Sequence, residues 1–173
     1  MGKGATLDRL VLEHLPAALR FATRLSGDPQ QAEEIVQEAL LHVVRRFADF
    51  RQEATFRTWL FRIVINVFRD RLPTTHPAEV PLDDGRQETL NRPGTGPAEA
   101  AMAAELAERI AQEVSRLPPR QREVLVLMTF EGMPTAEVAR IVGISEANVY
   151  STLSVARARL KSRLAPFLGS VET

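Results

Sequence analysis

The sequence predicts an all-α protein built as two small helical domains joined by a flexible linker, the C-terminal one a helix-turn-helix. Three observations predict this. Apolar residues recur at helical spacing throughout, and no window alternates strictly enough for a strand. Five of the eleven prolines (Pro73, Pro77, Pro81, Pro93 and Pro97) crowd into residues 73–98, together with Gly85, Gly94 and Gly96. Proline fixes the backbone and removes a hydrogen-bond donor, so neither a long helix nor a sheet suits that stretch. Finally, Ala139 and Gly143 stand four apart between two amphipathic segments, as a helix-turn-helix requires. The expected boundaries are residues 1–72, a linker at 73–98, and residues 99–173.

The chain has 173 residues, 22 basic and 22 acidic, and no cysteine. Charge balance excludes a uniformly basic coat protein or a highly charged disordered chain. Lack of cysteine excludes a disulfide scaffold, a thiolate metal site and a cysteine nucleophile. No apolar run approaches the roughly 20 residues that span a bilayer, and no apolar block follows Lys3, so neither membrane span nor signal peptide is expected. The expected setting is a reducing one. By domain the charge is +2, −2 and 0, which makes the linker acidic. Each folded part has only about 70–75 residues, a size that buries roughly 60% of its chain surface and is marginal alone, so partners are expected to matter for stability.

The first helix is expected over residues 6–26, closed by Ser26-Gly27. Asp28-Pro29-Gln30-Gln31 starts the second: Asp28 as cap, Pro29 in the first turn, Gln31 completing a capping box. On this helix Ala32, Val36, Ala39, Leu40, Val43, Val44 and Phe47 form an apolar arc. Opposite lie Glu34, Glu38, His42 and Arg45 with Leu41 among them, either a solvated face or an aliphatic partner-binding spot ringed by charge.

The third helix, residues 55–71, is apolar almost all round through Phe56, Trp59, Leu60, Ile63, Val64 and Val67, extended by Phe61, Ile65 and Phe68. Such a helix is buried, or leaves apolar surface for something else. Its narrow polar wedge is Thr58, Arg62, Asn66 and Arg69. Arginines and an amide in one stripe suit a phosphate backbone and base edges, although an ordinary solvated seam has the same pattern. The connection before it, from Asp49 and Phe50 through Arg51 and Gln52 to Thr55, lies beside aromatics that could stack an unpaired base.

In the second half an alanine-rich helix (98–116) stops at Leu117-Pro118-Pro119, and residues 119–131 form a central apolar helix. A short helix then holds Ala139, Gly143 turns, Ile144 plugs the corner, Ser145 caps, and Val149, Leu153, Ala156 and Leu160 are the buried stripe of the next helix. That second helix enters a major groove in such motifs. It offers Ser145, Glu146, Ala147, Asn148, Ser151 and Thr152 first, then Arg157, Arg159, Lys161 and Arg163 for phosphates.

No enzyme signature is present, and neither cofactor, metal nor small-molecule substrate is expected. Gly94-Thr95-Gly96 has no strand before it or lysine after it, and His14, His42 and His76 are scattered. From the residues alone, a duplex-DNA regulator with a helical sensor domain, or a helical adaptor, stays open beside a protein that holds both duplex and unpaired DNA.

The whole pattern resembles the extracytoplasmic-function, or group IV, bacterial sigma factors. Gln31 to Leu40 looks like the family's polymerase-binding helix, Phe56 to Asn66 like its −10 recognition helix, and Leu117 to Leu125 like the opening of its −35-binding region. The resemblance implies a cytoplasmic protein whose Glu34, Glu38, Leu41, His42 and Arg45 dock on the clamp of core RNA polymerase. It implies that Arg62, Asn66 and Arg69, with Thr58 and Trp59, meet promoter DNA at the −10 element, and that Phe50, Arg51, Gln52 and Thr55 hold a flipped base. Residues 145–161 of the last helix are implied for the −35 element, and an anti-sigma factor as partner. The chain departs from the family at Tyr150, Thr152 and Val155, where basic residues are usual, and at Met133-Pro134, where a serine-type cap is common.

Overall fold

The computed structural model describes residues 3–50, 54–73 and 97–168. Seven α-helices appear among them: α1 Lys3–Ser26, α2 Pro29–Arg46, α3 Phe56–Asp70, α4 Pro97–Ser115, α5 Pro119–Leu125, α6 Thr135–Val142 and α7 Glu146–Leu168. A 3-10 turn, Phe47–Asp49, follows α2, and a π-helical segment, Val126–Phe130, continues α5. Most of the expected linker, residues 74–96, lies outside the described residues.

The first three helices pack on one another, and α4–α7 form the second module around α5. Gly27 ends α1 at φ +76°, a conformation open to glycine because it lacks a Cβ. Asp28 caps α2 by accepting from the Gln30 amide at 2.8 Å. The expected capping box does not form, because the Asp28 amide donates to Ser26 Oγ rather than to Gln31. Val44, placed by periodicity in the apolar arc, is instead 63% exposed. Phe47, further along the same arc, does pack against the core, so Val44 alone of the arc turns outward.

In the second module Gly143 (φ +79°) is the left-handed cap of α6, its amide and that of Ile144 both donating to the Ala139 carbonyl. Ser145 Oγ then accepts from the Asn148 amide, opening α7. At Pro134 there is no side-chain cap; the Pro134 carbonyl takes the amides of Glu137 and Val138. The expected helix over 119–131 changes winding at Val126, where the Glu131 amide reaches the Val126 carbonyl five residues back. The extra residue per turn re-aims the end of the helix.

The two modules are docked. Buried residues of α1–α3 and of α4–α7 form one contiguous apolar cluster. The all-round apolar character of α3 has this physical reason: Leu60, Phe61, Val64, Ile65 and Phe68 are all buried, with the first module on one side and α6 of the second packed against the same helix. Phe61 stacks on Phe21 of α1 at 4.3 Å, and Arg122 of α5 lies 5.6 Å from the Phe68 ring. Arg122 also donates to the Leu25 carbonyl at the end of α1 and, at 3.0 Å, to the Leu117 carbonyl. A cation thus sits at the negative end of the α1 dipole.

Candidate nucleic-acid and polymerase interface

On α2, Glu34 and Arg45 are exposed, Leu41 is 58% exposed, and Glu38 and His42 are half-buried. Leu41 and Val44 make a small aliphatic spot next to charge. Arg71, just past α3, donates to Glu34 and Glu38 at 2.8 Å each, tying the start of this face to the end of α3. Such solvent-reached pairs contribute about 0–1 kcal/mol, so they order the face more than they stabilise it.

The start of α3 is held by hydroxyls. Thr55 caps it, accepting from the Thr58 amide at 3.2 Å, and the two Thr hydroxyls lie 2.8 Å apart. Thr58 gives its own proton to Glu137 of α6 at 2.7 Å, so Thr55 is the donor to Thr58. Above them is an aromatic cluster: Phe50 lies 5.0 Å from Trp59 and 5.9 Å from Phe56, and His14 meets Phe56 edge-on. Phe50 and Trp59 stay half-buried, leaving ring surface beside the exposed Thr55. Arg51 and Gln52 lie outside the described residues.

The polar wedge of α3 is divided. Arg62 and Asn66 are exposed one turn apart. Thr58 and Arg69, expected on the same open stripe, are not: Thr58 is 4% exposed, and Arg69 is half-buried in a two-pronged pair with Glu123 of α5. The cause is the docked second module, which covers one edge of the wedge and leaves the other. Hydrogen bonding to Glu123 raises the Arg69 guanidinium above its ordinary pKa, against burial, which lowers it. Burial lowers that of Arg122, partly offset by Glu123. Sequence reading missed Glu123, Glu131 and Glu137 as contact residues because isolated glutamates on short helices read as solvated.

On α7 the first turn is open. Ser145, Glu146, Ala147 and Asn148 are exposed, and Ser151 and Thr152 are half-buried. Tyr150 is 56% exposed, its hydroxyl accepting from Thr135 at the start of α6. Arg157 and Arg159 are half-buried and Lys161 exposed. Arg163, counted among the phosphate-facing cations, turns instead to Glu113 of α4 at 3.5 Å, which also pairs with Arg116. Among the described residues no group of three or more acidic, histidine or cysteine side chains is arranged to hold a metal, and no helix is long and apolar enough to cross a membrane.

Known proteins share this architecture. Residues 10–75 match Sigma-70 region 2 and residues 107–160 match Sigma-70 region 4. The chain is 32% identical over 171 residues to the ECF RNA polymerase sigma factor SigM of Mycobacterium tuberculosis, covering 98% of this chain and 82% of the relative. It is 29% identical to the RNA polymerase sigma-H factor of Pseudomonas aeruginosa, covering 96% and 90%. Among solved structures, CnrH in complex with the cytosolic domain of CnrY superposes with a TM-score of 0.68 at 28% identity, covering 95% of this chain and 91% of that one. The fold also matches the sigma factor RpoE of Bartonella quintana, solved with the anti-sigma factor NepR, at a TM-score of 0.67 and 23% identity, with 91% and 96% covered. The helix-turn-helix, the α2 face and the α3 wedge thus sit on a shared frame, and the chain belongs to the extracytoplasmic-function sigma factors, the promoter-recognising initiation factors of RNA polymerase.

Proposed function

We propose that this chain brings core RNA polymerase to promoters through three separate faces. Glu34, Glu38, Leu41, His42 and Arg45 of α2 dock on the polymerase. Leu41 supplies apolar contact at the centre, and the charges set orientation and encounter rate. Arg62 and Asn66 of α3, joined by Arg69 and Thr58, hold the −10 element. Phe50 and Trp59 offer stacking surface to an unpaired base leaving the duplex, with Arg51, Gln52 and Thr55 at its rim. Stacking of that kind is worth about 1–3 kcal/mol per base and favours the melted strand.

At the other end, Ser145 to Asn148 with Ser151 and Thr152 enter the major groove at −35, and Arg157, Arg159 and Lys161 meet phosphates. Tyr150, Thr152 and Val155 bring no cation there, so the salt dependence of −35 binding is shallow. The protein positions the enzyme and performs no bond chemistry of its own. Its working compartment is the cytoplasm, where polymerase and promoters are. A regulatory anti-sigma partner fits as well: the related CnrH was solved in complex with the cytosolic domain of CnrY, and RpoE, of the same fold, with the anti-sigma factor NepR.

One observation carries this reading. Nine of the fifteen α3 residues are buried, yet Arg62 and Asn66 remain side by side at the surface. The test is sequencing of transcripts made in vitro by core polymerase plus the full chain. Discrete start sites that depend on the chain are expected; operator binding without any initiation would replace this reading with that of a duplex-DNA regulator.

A further inference from the structure

Tyr150 is a large exposed side chain of the helix-turn-helix that the three faces leave without a task. At about 100° per residue, Ala147 and Ser151 of α7 stand opposite the buried stripe of Val149, Leu153 and Ala156, and so face outward. Tyr150 lies about a quarter turn to one side of that line, its side chain 56% exposed. A hydrogen bond shows which side. Thr135, the first residue of α6, donates to the phenolic oxygen at 3.1 Å, across 15 positions of sequence.

The direction of that bond matters. An oxygen that accepts from Thr135 keeps its own O–H proton, and that proton meets no acceptor among the described residues. A tether between α6 and α7 is not needed either: Val138, Ile141 and Val142 of α6 and Val149 and Leu153 of α7 are already buried in the core. A side chain that served only to join the helices would gain more by burying its ring than by leaving over half of it in water. The arrangement instead pre-sets a donor. A tyrosine has two side-chain torsions, and Thr135 restrains them before any ligand arrives, which lowers the entropy cost of binding. When a recognition helix lies in a major groove, the helix before it crosses the sugar–phosphate backbone. A group a quarter turn off the groove-facing line, on the side of α6, therefore meets the wall of the groove and not its floor.

We infer that Tyr150 is a phosphate contact at the −35 element, an uncharged donor oriented by Thr135, so that the chain grips one backbone oxygen there without a cation. This rests on the assignment of α7 to the −35 duplex made above. A hydroxyl donating to an anionic oxygen belongs to the strong class of hydrogen bond, and its loss should weaken promoter binding by about tenfold or more. The salt dependence carries its signature. A cation on a phosphate releases counterions and adds about 0.9 to the slope of log affinity against log salt, whereas a hydroxyl releases none.

The experiment uses core polymerase with the full chain on a duplex promoter mapped by the transcription assay, its −35 phosphates replaced one at a time by uncharged methylphosphonates. Several positions are expected to cost affinity in the unsubstituted chain, and one of them should cost nothing further in Tyr150→Phe, which keeps the ring and loses only the hydroxyl. Tyr150→Phe should also bind the native duplex about tenfold more weakly with its salt slope unchanged. Thr135→Val, which removes the orienting hydroxyl at nearly constant shape, should lose severalfold and stay sensitive to that same phosphate. Tyr150→Lys should recover affinity at low salt and steepen the slope by about 0.9. Thermal unfolding identifies any variant that has merely lost its fold. Unchanged affinity of folded Tyr150→Phe overturns the inference, and so does a loss that leaves every methylphosphonate penalty intact, the mark of a purely structural hydroxyl. If exchange of the whole −35 sequence and Arg157→Ala both leave promoter binding unchanged, the −35 assignment of α7 itself has failed, and the phosphate contact falls with it.

Discussion

Gly27→Ala is the substitution with the clearest structural arithmetic. Gly27 has φ +76°, and a Cβ there would lie 2.6 Å from Ser115 Cβ and 3.1 Å from Ser115 Oγ at the end of α4. Two costs follow. Left-handed backbone for an L-residue costs roughly 1–2 kcal/mol wherever the modules are. The overlap with Ser115 adds about 1–3 kcal/mol, but only while the modules are docked. The total is about 2–5 kcal/mol in the docked state; if the modules separate to escape the overlap, the docking free energy is lost in its place.

A double-mutant cycle divides the two. Urea unfolding of Gly27→Ala, Ser115→Gly and the pair gives a coupling energy, expected at about 1–3 kcal/mol, because removing the Ser115 side chain relieves the overlap and leaves the backbone strain. The distance between spin labels placed on α2 and α7, read by pulsed electron resonance, shows whether part of the cost has been avoided by undocking. Additivity within about 0.5 kcal/mol, with the separation unchanged, refutes the close approach of α1 to α4.

Leu41→Glu should weaken binding to core polymerase by about tenfold or more, since a little over half of a leucine's roughly 1.5–3 kcal/mol of burial remains available on a 58% exposed side chain and a charge is added. Its urea midpoint should move by no more than about 0.5 kcal/mol in stability, and retained affinity by surface plasmon resonance removes that face. Arg62→Ala and Asn66→Ala should each lower promoter-specific initiation by about tenfold, at roughly 1–3 kcal/mol per lost base contact, while core binding stays constant in the same preparation. Gly143→Ala meets nothing within 4 Å and keeps only the left-handed strain of φ +79°, so its thermal unfolding should report roughly 1–2 kcal/mol and no coupling to the other module.

Spacing and caps in the sequence located the helices well. Asp28-Pro29 and Thr55 start α2 and α3, and Gly143 with Ser145 set the helix-turn-helix, because each of these is a local decision of backbone and side chain. The exposed Leu41 and the pair Arg62 and Asn66 were likewise legible, since periodicity reports which side of a helix is polar. What periodicity cannot report is which surface of another module arrives on that side. Thr58 and Arg69 look equivalent to Arg62 and Asn66 on a helical wheel, and only the docked glutamates separate them. Val44 sits at the edge of the apolar arc, where a helical wheel cannot decide between core and solvent. The π-helical turn at Val126 leaves no compositional mark, although it decides where Glu131 points.

The chain contains one tryptophan, and it is Trp59, half-buried at the mouth of the first module with Phe50 5.0 Å and Phe56 5.8 Å from its ring. Its ultraviolet emission therefore arises entirely from the pocket assigned to the extruded base. A nucleobase stacking there quenches the indole by direct ring contact, so strand capture can be followed in unlabelled protein, in real time, against a background of zero competing indoles.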